Sequence, residues 1–262
     1  MPDSCQQGSS DYTMNKHRLL FLYCVLLTLL CQTDGHAQAL HIGDFSEKMN
    51  NSDLFKSWHV FNFDHISKHT KYTLVRQSGA KVVQAMSQDS ASGLYRETDI
   101  DTTLFPLIQW RWRVNNTLKS GDASTKDGDD YAARIYINFK YDINRLGMLE
   151  RLKYESFKLI YGRYPPLAVI NYIWANKLPK GKQVNNAYTR RVKMIAVESG
   201  GEKLGKWITE TRNVYKDYQQ AFGEVPGAIT GIAIMTDTDN TGETATSFYG
   251  DIYFLPGDSA NE

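Results

Sequence analysis

From Ile108 to Val114 the side chains alternate strictly between apolar and polar. A period of two places Ile108, Trp110, Trp112 and Val114 on one face of an extended strand, and Gln109, Arg111 and Arg113 on the other. Two tryptophans on one face need a second layer of structure to bury them, which restricts the chain to folds in which a sheet is covered. Tyr131–Lys140 repeats the layout, with Ala133, Ile135, Ile137 and Phe139 opposite Arg134, Tyr136 and Asn138.

Further strands are predicted at Ser57–Phe63, Tyr72–Arg76, Lys81–Met86, Gly93–Thr98, Leu167–Ala175, Tyr188–Glu198, Ile229–Thr236 and Ala245–Phe254. Gln77-Ser78-Gly79 reads as a hairpin turn, and Asn115 to Asp130 as a long polar loop. Many short strands joined by turns predict a mainly β fold: a jelly-roll-like antiparallel β-sandwich. Two peripheral helices interrupt it. Arg145–Gly162 gathers Leu146, Leu149, Leu152, Phe157, Ile160 and Tyr161 on a broad face, and Pro165-Pro166 follows it. Asn213–Phe222 is the second, with Gly223 as its stop. Helix-on-sheet packing is the expectation for the first helix, with a membrane-surface role as the alternative.

The N-terminal segment points to export. Lys16, His17 and Arg18 precede an apolar run, Leu19–Leu30, and Ala37-Gln38-Ala39 follows a polar stretch. That is the order of a cleavable signal peptide, and the run is short of the ~20 residues of a membrane helix. The expectation is a signal peptide over residues 1–39, with translation starting at Met1 or Met14, and one β-sandwich domain over residues 40–262. A single anchoring helix is the competing reading. Cys31 fits a lipid attachment site poorly, because Leu30 precedes it. Cys5, Cys24 and Cys31 all lie in this segment, so the remainder has no disulfide or thiolate chemistry. It carries 28 basic and 26 acidic side chains, without the strongly basic balance of a nucleic-acid binder. No integral membrane segment is expected after cleavage.

Several blocks together resemble a known family. They are Phe63-Asp64-His65-Ile66, His69-Thr70-Lys71-Tyr72, Ser90-Ala91-Ser92-Gly93-Leu94 and Trp110-Arg111-Trp112-Arg113-Val114. Gly128 through Arg134, Asn171 through Ala175, Arg212 through Tyr218 and Thr236 through Gly242 continue the set. Over roughly residues 55–256 the chain resembles the bacterial secreted family named domain of unknown function 3047. The resemblance implies an envelope domain and carries no activity or catalytic residues.

Chemistry is therefore read from side chains. If the apolar sets of the two alternating strands meet inside, Arg111, Arg113, Arg134 and Tyr136 turn outward. Three planar guanidinium forks with a tyrosine suit a carboxylate, phosphate or sugar. Asp130 and Asp251 are the counter-ions expected beside them, and a solvated face with arginines paired to Asp129, Asp130 or Asp251 is the alternative. Of Asp129 and Asp130, adjacent and so on opposite faces, one is read as capping or pairing with Arg134 and the other as meeting solvent, a structural ion pair more than a catalytic pair of acids. Asp237-Thr238-Asp239-Asn240-Thr241-Gly242 has the oxygen spacing of a calcium loop, but Phe248 stands where a closing glutamate is needed. A turn explains the same residues, and neither a metal nor another cofactor is expected. No H-E-x-x-H, G-x-S-x-G or P-loop pattern occurs. Three functions stay in play: a noncatalytic binder of a glycan or anionic envelope component; a polysaccharide hydrolase using carboxylates from among Asp129, Asp130, Asp237, Asp239 and Asp251; and a partner-binding protein docking through Arg145–Gly162. No particular protein partner is implied.

Overall fold

The computed structural model describes residues 38–48, 50–161 and 167–257. The expected signal segment falls outside the described residues but for its last two positions. In chain order the elements begin with β1 (Leu40–Gly43), α1 (Asn51–Ser57), β2 (His59–Phe61), β3 (Lys71–Gln77), β4 (Ala80–Gln88) and β5 (Gly93–Ile100). Next come β6 (Leu107–Val114), β7 (Arg134–Phe139), α2 (Met148–Tyr161), β8 (Val169–Ala175), β9 (Gln183–Asn185) and β10 (Val192–Ser199). The chain continues with β11 (Ile208–Asn213), α3 (Val214–Phe222), β12 (Ile229–Met235) and β13 (Thr244–Leu255).

These strands form two sheets. One runs β11-β6-β13-β4-β3, and β1 also pairs with β13. The other runs β2-β5-β12-β7-β8-β10-β9. The first half of β13 meets β4 and its last residues meet β1 along the same edge. The β-sandwich is as expected, with one exception to antiparallel order: β8 and β10 run parallel. Every residue of β8, Val-Ile-Asn-Tyr-Ile-Trp-Ala, is buried, as a strand covered on both faces requires. The chain between them returns through β9, antiparallel on the far edge of β10.

The Ser78-Gly79 turn closes β3 onto β4, with Gln77 paired to Ala80. Both turn residues have positive φ (49° and 85°), the backbone that a two-residue hairpin needs. Two helices were expected, and the described residues form three α-helices. The helix missed, α1, precedes the predicted Ser57–Phe63 strand, sharing only Ser57 with it, and is capped by the Asn50 side chain, which accepts from the Asp53 N–H at 3.1 Å. The polar strands β9 and β11 lack the apolar alternation that would have announced them. In α3, Asn213 caps the start and Gly223 stops the end in the left-handed region. Asp217 ties it to the core, accepting from Tyr172 Oη at 2.7 Å and from Arg212.

The sheets meet through aromatic side chains. Trp110 stacks on Tyr172 at 5.3 Å and crosses Trp112 edge-on at 5.4 Å, and Trp112 meets Trp174 at 5.9 Å. The inner face of β6 thus packs on the inner face of β8, with Ile135 and Ile137 of β7 in the same core. Helix α2 departs from expectation. Leu146, just before it, is buried with Tyr154 and Leu167, but Met148 and Leu149 are exposed. The expectations for Phe157, Ile160 and Tyr161 concern side chains outside the described residues. Among the described residues, no helix is long and apolar enough to cross a membrane.

At the sandwich edge Glu198 of β10 takes ion pairs from Lys180 and Lys203 (2.5 and 2.7 Å), and Glu210 of β11 is buried with one oxygen unpartnered. Burial, aided by Glu198, pushes the Glu210 carboxyl up to about 7. A group bound more tightly to its proton in the fold stabilises below the ordinary carboxyl range and loses that contribution as pH rises through its folded value. Glu210→Gln should therefore match the wild type near pH 4 and exceed it near pH 8. Urea melts at the two pH values check this, and an equal difference at both would refute it.

Candidate functional site

Antiparallel pairing of β7 with β12 sets Arg134 opposite Met235. The loop entering β7 and the loop leaving β12 therefore emerge at the same end of the sheet. This brings Asp129 and Asp130 to Asp237 and Asp239, across more than a hundred residues of chain. Arg134, 4% exposed, lies at the centre. Its Nη2 donates to Asp237 Oδ2, and its Nη1 is 3.7 Å from Asp129 Oδ1. The guanidinium lies 5.1 Å from the Tyr131 ring and 5.4 Å from that of Tyr136.

The acids are held separately. Asp129 Oδ2 accepts from Asn186 Nδ2 at 2.8 Å, and Asp130 Oδ2 from the Thr241 N–H at 2.7 Å. Asp237 Oδ1 accepts from the Tyr131 N–H at 3.3 Å. Asp130, Asp237 and Asp239 each bring a carboxylate oxygen into a group spanning no more than 4.8 Å. Burial, opposed by Arg134, raises the Asp129 carboxyl; burial and the neighbouring Asp130 raise that of Asp239. Burial also pushes the Tyr136 hydroxyl up to about 12. Asn171 of β8 faces Tyr136 across the strand pair and is fully buried.

Thirteen buried side-chain nitrogen and oxygen atoms among the described residues lack a hydrogen-bond partner, and seven belong to this cluster. They are Asp129 Oδ1, Asp130 Oδ1, Tyr131 Oη, Arg134 Nε and Nη1, and both polar atoms of Asn171. Tyr136 and Asp239 are half-buried above this floor, and Tyr188 and Asn240 are exposed. Tyr188 Oη accepts from Asn240 Nδ2 at 3.2 Å.

The six residues singled out from the sequence do not make one face. β6 belongs to one sheet and β7 to the other, so with their apolar faces in the core their polar faces point to opposite sides of the sandwich. Arg134, Tyr136 and Asp130 lie on one side. On the other, Arg111 and Arg113 lie over Trp207 at 5.1 and 5.7 Å, and Arg113 also over Phe248 at 4.2 Å. Asp251 accepts there from Ser46 N, Ser46 Oγ and Tyr253 Oη (2.8, 2.5 and 3.1 Å). A cavity of ≈ 410 Å³ opens between Gln109, Arg111, Thr209 and Asp251. Asp129 does pair with Arg134, as anticipated, but Asp130 is 0% exposed and does not meet solvent. Asn171, Asn186 and Tyr131 were not read as site residues from the sequence. The one available signal was Asn171, a lone amide in an otherwise apolar strand.

Fold and cluster together define a two-sheet β-sandwich domain with a buried arginine–aspartate site at one end of a sheet. The family described as Protein of unknown function (DUF3047) matches residues 56–253, and the chain belongs to it. No curated protein matches the sequence. Among solved structures, the chain is similar to the glycoside hydrolase domain of Endo-D from Streptococcus pneumoniae R6 (7% identity, TM-score 0.33, 77% of this chain and 22% of that one). It is similar also to a beta-1,2-glucanase from Parabacteroides distasonis (10%, TM-score 0.35, 85% and 25%) and to a CBM28 carbohydrate-binding module specific for non-crystalline cellulose (11%, TM-score 0.36, 85% and 96%). The chain spans about a quarter or less of the first two.

Proposed function

We propose that this is an exported envelope domain that binds a hydroxyl-rich ligand, a glycan, at the Arg134 cluster. The observation that carries the reading is the concentration in five residues of seven buried polar atoms without a hydrogen-bond partner, of which Asp129 Oδ1 and Arg134 Nη1 are ion-paired to each other at 3.7 Å. Buried polar groups are ordinarily satisfied, so such a concentration marks a place where a ligand or ordered water completes the bonding. The set is mixed. Arg134 and the Asn171 amide donate, Asp129 and Asp130 accept, and Tyr131 does either. Sugar hydroxyls also both donate and accept. An anionic ligand fits less well, because four carboxylates surround one guanidinium, and like charges in a buried site repel. Tyr136 and Tyr188 add ring surface at the rim.

The test is a glycan array with the purified chain, followed by titration of the best glycan into Tyr136→Phe and Asn171→Ala. Both variants are expected to bind at least about tenfold more weakly, the loss that one good hydrogen bond of ~1.4 kcal/mol represents. Wild-type affinity in both variants would remove the cluster from the binding site. Release of new reducing ends from a bound glycan would make the domain a hydrolase and not a binder.

A further inference from the structure

We propose that Asp130, Asp237 and Asp239 form a binding site for a divalent cation, with calcium as the ion their chemistry favours. The calcium-like spacing of the Asp237–Gly242 turn is insufficient alone, because it lacks a closing acidic ligand. The fold supplies that ligand from elsewhere. Asp130 brings a carboxylate oxygen to within 4.8 Å of those offered by Asp237 and Asp239.

The second observation is the state of Asp130 itself. It is 0% exposed, and only one of its oxygens is hydrogen-bonded, to the Thr241 N–H. The other has no hydrogen-bond partner. Arg134 makes its ion pairs with Asp129 and Asp237 and acts on Asp130 only at longer range. A carboxylate removed from water without a cation beside it is costly, and a bound metal ion is one of the few things that relieve it. The charge of the cluster points the same way. Asp129, Asp130, Asp237 and Asp239 face one guanidinium, and a divalent cation offsets most of the remaining negative charge.

All three donors are hard oxygens, which suit calcium or magnesium and not softer metals. Three carboxylates in mono- or bidentate modes, with backbone carbonyls and water, can meet the six to eight oxygens and flexible geometry of calcium; magnesium demands a near-ideal octahedron. Asp239 is half-buried and Asn240 exposed, so the ion enters from the turn. This inference shares Asp130 with the glycan reading, and the titration without glycan lets the two fail separately.

The chain is stripped with chelator and titrated calorimetrically with calcium chloride alone, then with magnesium chloride, without any glycan. One saturable calcium site is expected, with a higher melting temperature in calcium than in chelator. Asp239→Asn, at the half-buried rim, should weaken calcium at least tenfold, and Asp130→Asn should do so where it folds. Asp251→Asn, on the other sheet, should bind as the wild type does. No binding heat and no thermal shift up to millimolar calcium would overturn the proposal. So would undiminished affinity in Asp239→Asn, or magnesium bound as tightly as calcium.

Discussion

Replacing Arg134 by methionine is expected to cost about 3–5 kcal/mol of stability at neutral pH, the penalty for removing one partner of a buried ion pair. Methionine fills much of the same space, so the loss is one of charge. Asp237 is 1% exposed and Asp129 6%. Asp237 loses its guanidinium donor, and Asp129 loses the charge that opposes the effect of its burial. The Asp129 carboxyl, already raised by burial in the wild type, rises further without Arg134. Such a group stabilises below the ordinary carboxyl range and loses that contribution as pH rises through its folded value. The deficit of Arg134→Met against the wild type should therefore be larger at pH 7.5 than at pH 4.5. Arg134→Lys keeps the charge, loses the fork and should fall between the two. Urea melts of the three proteins at both pH values measure this. A deficit that does not change with pH would mean that Arg134 acts through packing alone.

Trp112→Ala should destabilise by a comparable amount, about 3–5 kcal/mol, for an apolar reason. Trp112 is 0% exposed, at the crossing of the two sheets, against Trp110 and Trp174. Its indole nitrogen has no hydrogen-bond partner, so truncation strands no polar neighbour. What is lost is buried ring surface, and a cavity between layers that cannot close because both sheets are held by their own ladders. Arg111→Ala, one residue away, removes a half-exposed cation–π contact with Trp207 and should cost no more than about 1 kcal/mol. Unlike Trp112→Ala, its effect should shrink in high salt. Denaturant midpoints of the pair at low and high salt provide the check. A Trp112→Ala protein as stable as the wild type would contradict the inter-sheet packing.

The β-sandwich, the facing of its key strands and most of its strand positions were legible in the order of residues. The alternation in Ile108–Val114 and Ala133–Phe139 is local, and period two has one reading wherever one face must be buried. The Ser78-Gly79 turn and the Gly223 stop were legible for the same reason, since their backbone demands are met by neighbouring residues. The short, polar β9 and β11 had no apolar face to show. Which strands are neighbours follows from long-range pairing alone. Period two tells which way a side chain points and says nothing of which sheet its strand joins. Arg111 and Arg134 therefore read alike in the sequence and stand on opposite sides of the molecule. The same limit hid the aspartate cluster. Asp130 and Asp237 look like two unrelated turns, and it is the antiparallel register of β7 with β12 that closes them around Arg134.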